Sequence, residues 1–317
     1  MSQNLFAPEI HCSAVREPIS PERELGAYEA LWARDGISFG SIAKSFARHE
    51  GSIPSDFAAE ADIRKYSRLA LRAIRAAGIS QFGVRVHGAR EYPHRLRDAE
   101  HPVGLLYFQG TWDLVNTPCV SVVGTREATE GGKRRAAKLA RLLVADGFTV
   151  MSGLARGIDT AAHRAAIAAG GSTIAVLGTP ITSYYPRENR GLQRQIAARH
   201  LVISQVPIVR HSNQHCRDNS RFFLQRNATM SALSEGTVIV EAGEASGALV
   251  QARQALKQGR KLFVLDSCFR GPAQKWPARL LDQGAIRVSE FGTIGDCLAA
   301  ADIKGTAVGA SLVAACP

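Results

Sequence analysis

The chain lacks the features of secreted, membrane and metal proteins. Its 317 residues include six cysteines, scattered without a CxxC pair, and no signal peptide is recognisable at the N-terminus. This pattern predicts reduced thiols in a cytoplasmic protein. His211, His215 and Cys216 lie close together, but no fourth ligand follows at zinc spacing, so we predict a polar loop and no metal site. No apolar run is long enough to cross a bilayer, which predicts a protein without membrane insertion.

The usual nucleotide-binding fingerprints are also missing. Gly124 is followed by Thr125 and Arg126, and the next glycine is Gly131, so the GxGxxG spacing of dinucleotide sites is not met. The lysine and hydroxyl residue that end a Walker A loop are absent as well. The sequence therefore predicts no bound cofactor.

Positive charge is abundant, with a formal net charge of +11 at pH 7. Eight arginines and two acids lie between residues 187 and 226. Because arginine presents a planar fork of donors that suits phosphate, this segment favours a phosphate-bearing partner. A solvated basic face without a partner would have the same composition.

Short β-branched runs alternate with helical segments over most of the chain. Strands are predicted at 119–123, 148–152, 172–177, 201–205, 236–240, 261–265 and 285–288, and helices at 131–145, 158–169, 188–198 and 247–258. This alternation predicts an α/β fold, an extended Rossmann-like parallel sheet domain. Helical periodicity over 24–33, 41–49 and 62–77 predicts a small N-terminal helical domain beside it.

The predicted organisation has four regions. They are a flexible arm at 1–20, the small helical domain at 21–85, the Rossmann-like domain at 86–290 and a C-terminal tail at 291–317. A connecting segment with Tyr92-Pro93 and residues 102–110 leads into the first strand.

Three loops follow predicted strands and lead into helices. We name them the first loop (122–129), the second loop (151–163) and the third loop (240–247). Glycine lets a backbone approach a ligand closely, and a helix N-terminus offers free N–H groups to an anion, so these loops predict one phosphate-binding crevice. Its predicted binding residues are Gly124, Thr125, Arg126, Ser152, Gly153, Arg156, Gly157, Glu241, Ser246 and Gly247.

Several polar residues of the loops have two interpretations. Asp159 and His163 share a side of the predicted helix and could form an acid–base pair, but no nucleophile accompanies them, which favours a structural role with Asp159 capping the helix. Glu241 is either a catalytic carboxylate or a group that orders glycine-rich backbone. Ser246 is a natural N-cap and a possible phosphate donor.

An aromatic pair flanked by arginines lies between the second and third loops. Phe222 and Phe223 follow Arg221 and precede Arg226 and Asn227. Aromatic rings beside cations suit the stacking of bases in single-strand binders, whereas a phenylalanine is more often part of a core. We expect one ring in each role.

Together these segments resemble the DNA-processing protein A (DprA/Smf) family. The residues that carry the resemblance include Gly124-Thr125-Arg126, Ser152 through Asp159, Tyr185 through Asn189, Arg226-Asn227, Val240-Glu241-Ala242 and Ser246 through Leu249. The resemblance covers about 92–288. The family's usual RNR triplet is Arg226-Asn227-Ala228 here, which removes one cation.

The resemblance implies a non-enzymatic, dimeric protein with a Rossmann-like domain. Such a protein binds single-stranded DNA without marked sequence preference, protects incoming DNA and helps load the RecA recombinase during transformation and recombination. It also implies that Gly124, Arg126, Arg156, Phe222 or Phe223, Arg226 and Asn227 line the nucleic-acid pocket.

Two other functions remain open from the sequence. One is a nucleotide-binding sensor, which needs the same crevice. The other is a phosphoribohydrolase-like enzyme, for which Glu241 or Glu244 would have to replace the glutamate of that family's PGGxGTxxE loop.

Overall fold

The structure, a computed structural model, describes residues 19–49, 51–97, 103–270 and 274–299. Its strands are β1 (Gly83–Val86), β2 (Leu105–Gly110), β3 (Cys119–Gly124), β4 (Thr149–Ser152), β5 (Thr173–Leu177), β6 (Leu201–Ser204), β7 (Gly236–Glu241), β8 (Lys261–Leu265) and β9 (Ile286–Val288). Its helices are α1 (Pro21–Trp32), α2 (Phe39–Ala47), α3 (Glu60–Ala76), α4 (His94–Arg97), α5 (Glu130–Ala145), α6 (Ile158–Ala168), α7 (Arg190–Arg199), α8 (Ile208–Asn213), α9 (Cys216–Leu233), α10 (Gly247–Lys257) and α11 (Trp276–Asp282).

The strands form one sheet in the order β1-β2-β6-β5-β4-β3-β7-β8-β9. All neighbours from β6 to β9 pair in parallel, while β1, β2 and β6 pair antiparallel. The chain runs outward from β3 to β6 on one side and returns to place β7 on the other side of β3. The predicted α/β class with a parallel Rossmann-like sheet is therefore confirmed.

Helices cover both faces of this sheet. Val120 and Val122 of β3 pack in one cluster with Leu139 and Leu143 of α5 and residues of α6, whereas Val123 packs on the opposite face with residues of α9 and α10. Because both faces are covered, the central strands are buried throughout, which explains why their sequences are continuous apolar runs.

The N-terminal helices share a core with the sheet. Tyr28 of α1 donates a hydrogen bond to the carbonyl of Gln205 at 2.6 Å. The buried Glu29 accepts from the Tyr107 hydroxyl at 2.6 Å and from the N–H groups of Ile208 and Val209 at 2.6 and 3.0 Å. Burial raises the pKa of Glu29, and these three donors oppose that shift. The helical segment is thus tied to β2 and α8 by buried hydrogen bonds.

Several predicted boundaries differ from the structure. The predicted connector contains β2, and the proposed division at 85 and 86 falls within β1, which pairs with β2. The predicted polar loop at 211–216 holds the end of α8 and the start of α9. Residues 292–299 of the predicted tail are helical, with Ile294 and Leu298 buried in the α5 cluster. Residues 1–18 of the predicted arm and 300–317 of the tail lie outside the described residues.

Candidate nucleic-acid interface

The three loops meet at one edge of the sheet, because β4, β3 and β7 are neighbours. The N–H of Thr125 donates to the carbonyl of Glu241 at 2.7 Å, which joins the first loop to the third. The N–H of Ile158 donates to the carbonyl of Thr125 at 3.4 Å, which joins it to the second. Strand β3 is the topological switch point of the sheet, the place where open α/β folds bind ligands.

Close backbone packing explains two of the glycines. Gly157 has a φ of +76°, and a Cβ there would lie 2.5 Å from the carbonyl oxygen of Thr125. Gly124 packs against Ile158, whose Cγ1 would lie 2.4 Å from an added Cβ. Larger residues at these two positions would push the first and second loops apart.

Asp159 and Asn189 hold the second loop in its shape. The Asp159 carboxylate, 5% exposed, accepts from the N–H groups of Gly153 and Ala155 at 3.1 and 3.2 Å. The amide of Asn189 donates to the carbonyl of Leu154 at 2.9 Å, where the backbone has a φ of +59°. Burial raises the pKa of Asp159, while Arg226 and the two N–H groups oppose that effect. The expected helix cap is wrong in detail, because Gly157 is the N-cap of α6 and Asp159 binds loop backbone instead.

His163 is also a structural residue. It is fully buried, and its Nδ1 lies 2.7 Å from the Thr173 hydroxyl, which itself donates to the carbonyl of Val150. Burial lowers its pKa from 6.5 to about 3. A neutral, enclosed imidazole of this kind cannot reach a ligand in the crevice, which agrees with the structural role favoured by the sequence.

Arg226 lies beneath the crevice and not at its surface. It is 6% exposed, and its Nη1 donates to the carbonyls of Gly153 and Val176, both at 2.7 Å. Its Nε donates to the side-chain oxygen of Asn227 at 3.0 Å, and Asn227 in turn donates to the carbonyl of Gly247 at 3.4 Å. Burial lowers the pKa of Arg226 to about 10, although Asp159 opposes the shift. The expectation that Arg226 and Asn227 grip a ligand is therefore corrected, because both connect the ends of β4 and β5 to the start of α10.

A partly exposed aromatic–arginine cluster (Arg126, Tyr185, Phe223) lies next to Arg226. The Arg126 guanidinium lies 5.7 Å from the Phe223 ring centroid and 5.9 Å from that of Tyr185. The two rings meet edge to face at 5.4 Å, and Tyr185 is 47% exposed. Phe223 rests on Gly178, where an added Cβ would lie 2.4 Å from its ring. The cluster thus offers aromatic surface and a cation side by side.

Phe222 faces the opposite way from Phe223. It is 3% exposed and packs edge to face against Trp32 and Phe39 of the N-terminal helices. Phe222 is therefore the core ring that the sequence led us to expect, whereas the stacking role of Phe223 stays a prediction.

The aromatic residues after β5 were missed as site residues in the sequence. Tyr184 lies 5.1 Å and 5.6 Å from the guanidinium groups of Arg190 and Arg194, next to Tyr185. The signal was available, since an adjacent aromatic pair followed by arginines is the pattern that singled out Phe222 and Phe223. The exposed Arg156 of the second loop extends toward the same segment and pairs with Glu188 at 3.3 Å.

Three predicted polar groups are engaged within the protein. The Ser152 hydroxyl is buried and donates to the carbonyl of Val122 at 2.7 Å. Glu241 accepts from the N–H of Thr129 at 2.9 Å, from its hydroxyl at 2.7 Å and from Arg135 at 3.1 Å. Ser246 is the N-cap of α10 and accepts from the N–H of Ala248 at 3.3 Å, as predicted.

These contacts also bear on the catalytic alternative. Glu241 occupies the N-terminus of α5 as an internal anion, so it orders backbone and Arg135. Glu244 accepts from the N–H groups of Lys275 and Trp276 at 2.6 and 3.1 Å and pairs with Arg279 at 2.7 Å. Each of the two carboxylates that could replace the hydrolase glutamate therefore has partners within the protein. Within the described residues, no group of three or more His, Cys, Asp or Glu side chains could hold a metal ion, and no helix is long and apolar enough to span a membrane.

Comparisons with known proteins agree with this geometry. A family model described as DNA recombination-mediator protein A matches residues 83–299. The DNA processing protein DprA of Bacillus subtilis is 34% identical over 216 residues, which cover 68% of this chain and 70% of that protein. The DprA structure from Streptococcus pneumoniae superposes with a TM-score of 0.59 at 27% identity, over 86% of this chain and 91% of that one.

A second solved structure is also similar to this chain. The DNA processing protein A of Helicobacter pylori, studied for its single-stranded DNA binding mode, superposes with a TM-score of 0.56 at 28% identity, over 69% of this chain and 95% of that one. The family model spans the sheet and all three loops. The chain therefore belongs to the DNA recombination-mediator protein A family.

Proposed function

We propose that the crevice at the switch point binds single-stranded DNA, and that the protein thereby acts in DNA processing and recombination. The observation that carries the proposal is the partly exposed cluster of Arg126, Tyr185 and Phe223 beside the buried Arg226. Single-strand binders combine a basic groove for the backbone with aromatic rings for the bases. The Helicobacter pylori relative, which is described as binding single-stranded DNA, supports the same assignment.

Each part of the cluster has its own role in this proposal. Arg126 and Arg156 contact phosphates, and the arginines of α7 continue the positive surface past Tyr184. Tyr185 and Phe223 stack on bases. Every base has a π-face, so any base can stack on these rings. In this proposal the arginines contact phosphates and the rings stack on bases, and neither contact reads base edges, so the interaction has no marked sequence preference.

Arg226 is a positioning residue in this scheme. It aligns the carbonyls of Gly153 and Val176 and supports the Phe223 ring, whose centroid lies 5.9 Å from its guanidinium. We therefore expect Arg226→Ala to lower the stability of the fold, since two carbonyls and the charge of Asp159 lose their partner.

The finer parts of the proposal rest on the resemblance to the family. The protein protects incoming single strands, helps load RecA onto them, works as a homodimer and has no catalytic turnover of its own. Sedimentation gives its oligomeric state. DNA-dependent ATP hydrolysis by RecA on a strand coated with single-strand binding protein, with and without this protein, tests the loading role.

Fluorescence anisotropy with labelled oligo-dT over a salt series tests the binding itself. Binding through phosphates releases counterions, so log K falls linearly with log salt. Arg126→Ala is expected to lower affinity about tenfold or more, the size of a lost charge-assisted contact. Arg164→Ala, an exposed arginine on α6, is the matched control and should leave affinity unchanged. Affinity of the wild type that ignores salt, or equal losses in both variants, would contradict the proposal.

A further inference from the structure

Charge is unevenly distributed in the N-terminal helical segment. Residues 21–78 contain nine Lys and Arg against eight Asp and Glu, so the segment as a whole is almost neutral. Residues 63–76 of α3, however, contain five of those cations and no acid. The positive charge of the segment is therefore concentrated on a single helix.

The buried and the exposed face of α3 differ in composition. Its buried face, which packs on α1, consists of Ile63, Ser67, Ala70 and Ile74. The exposed face includes a row of arginines, which we name the arginine stripe (Arg64, Arg68, Arg72 and Arg75). The spacing of four, four and three residues places these side chains in a row about 16 Å long. Lys65 lies beside the row and is also exposed.

Among the described residues, little neutralises the arginine stripe. Arg64 pairs with Glu60 one turn earlier at 3.6 Å, and both side chains are well exposed. In the part of the chain that the structure describes, Arg68 and Arg72 form no ion pair. Like charges at i and i+4 destabilise an isolated helix, so a row of them without acidic partners lowers helix stability unless a ligand supplies the opposite charge.

We infer that the arginine stripe of α3 binds the phosphodiester backbone of DNA, as a contact surface separate from the crevice. A row of evenly spaced guanidinium groups matches a polyanion with regularly spaced charges, and arginine suits phosphate geometry. The surface reads no sequence, because phosphate contacts position a protein without specifying bases. It would hold a duplex, or a single strand too long for the crevice alone.

The structure disfavours two other anionic partners. A helix that lies on a membrane buries an apolar face in it, whereas the apolar face of α3 is already packed on α1. An acidic protein partner would require an aromatic or aliphatic anchor at the centre of the interface. Leu69, 42% exposed, is a single side chain and forms no such patch.

The test uses the double variant Arg68→Ala/Arg72→Ala in the full chain. Its matched control is Lys138→Ala/Arg141→Ala, which removes the same charge from exposed positions of α5. Binding is measured over a salt series with oligo-dT of about six nucleotides, oligo-dT of about thirty nucleotides and a blunt duplex. Thermal unfolding checks that both variants remain folded, which their exposure favours.

The stripe variant should bind the thirty-nucleotide strand or the duplex at least several-fold more weakly, and its salt slope should fall by about 1.4–1.8. Its affinity for the six-nucleotide strand should match the wild type, as should all affinities of the control. Weaker binding of the thirty-nucleotide strand would show that the stripe holds single-stranded DNA. Weaker binding of the duplex would show that it holds double-stranded DNA. Unchanged binding of both long probes by the stripe variant would overturn the inference. The inference would also fail if the variant lost binding to anionic phospholipid vesicles but kept its affinity for DNA.

The outcome is independent of the crevice. If the wild type does not bind the six-nucleotide strand but binds the longer probes more tightly than the stripe variant does, the proposed function of the crevice is wrong and the inference about the stripe is supported. If the short strand binds and the stripe variant matches the wild type on every probe, the crevice stands and the stripe fails.

Discussion

The guanidinium of Arg126 lies over the ring of Phe223, with 5.7 Å between its central carbon and the ring centroid. The two residues come from separate elements, Arg126 from the first loop and Phe223 from α9. Because the cation is exposed and the ring is half-buried, a base that stacks on Phe223 can place its phosphate beside Arg126.

The neighbouring phenylalanines are expected to respond differently to truncation. Phe223→Ala should weaken oligo-dT binding by about 1–3 kcal/mol, the usual contribution of one stacked base. Phe222→Ala should instead lower the free energy of unfolding by about 3–5 kcal/mol, because that ring is 3% exposed among Trp32 and Phe39. Anisotropy and urea unfolding on both variants separate the two effects. Normal DNA binding by a folded Phe223→Ala protein would remove the ring from the site.

Two glycines of the crevice provide a second contrast. Gly157→Ala should destabilise the fold by more than about 1 kcal/mol and weaken DNA binding, since φ is +76° and the new Cβ would meet the carbonyl of Thr125. Gly247→Ala should stay within about 0.5 kcal/mol of the wild type, because nothing lies within 4 Å of its Cβ position. Urea unfolding measures both, and equal stability of the two variants would argue against the close packing of the first and second loops.

Glu241 acts as an internal anion at the N-terminus of α5. Glu241→Ala should lower stability by about 1–3 kcal/mol, because Thr129, the N-cap of α5, and Arg135 lose their acceptor. It also exposes the N–H and hydroxyl of Thr129 together with Arg135, so inorganic phosphate should raise its unfolding midpoint more than that of the wild type. Glu127→Ala, which removes an exposed carboxylate of the first loop, is the control. Equal phosphate responses in all three proteins would show that no anion site had opened.

His163 should make the stability of the fold depend on pH. Its pKa is 6.5 as a free side chain and about 3 in the folded protein, so the unfolded chain binds a proton that the folded one does not. Stability is therefore full above pH 6.5 and falls as the pH drops toward 3, by about 1.4 kcal/mol per unit. His163→Asn keeps a donor for Thr173 and cannot titrate there. Between pH 7 and about 4.5 the wild type should lose about 2–3 kcal/mol more than this variant.

Urea unfolding over that pH range measures the difference. The exposed His94 offers the control, since His94→Asn should follow the wild-type pH dependence. Parallel pH profiles of the wild type and His163→Asn would mean that His163 is not neutral in the fold.

Local sequence patterns located most of the sheet. Each predicted strand between 119 and 288 coincides with an observed one to within one or two residues, because buried parallel strands are short apolar runs between helical periods. Strands β1 and β2 were not recognised, since they pair antiparallel at the sheet edge and depend on each other and on β6. The 18-residue α9 was missed too, because its apolar residues do not form one simple stripe when one side packs on the sheet and the other on α1 and α2.

The amino-acid sequence by itself determined which loops follow which strands, where most of the helices begin and which family the chain resembles. These are local or motif-level properties that neighbouring residues carry. Tertiary structure decided which side chains face the crevice. Arg126 and Phe223 are brought together from positions 97 residues apart, while Arg226, Asn227, Ser152 and Glu241 bond to backbone and neighbouring side chains that no local pattern places beside them. Burial and hydrogen bonding depend on the packing of distant segments, so the same arginine or glutamate becomes a support or a binding group only once the sheet has assembled.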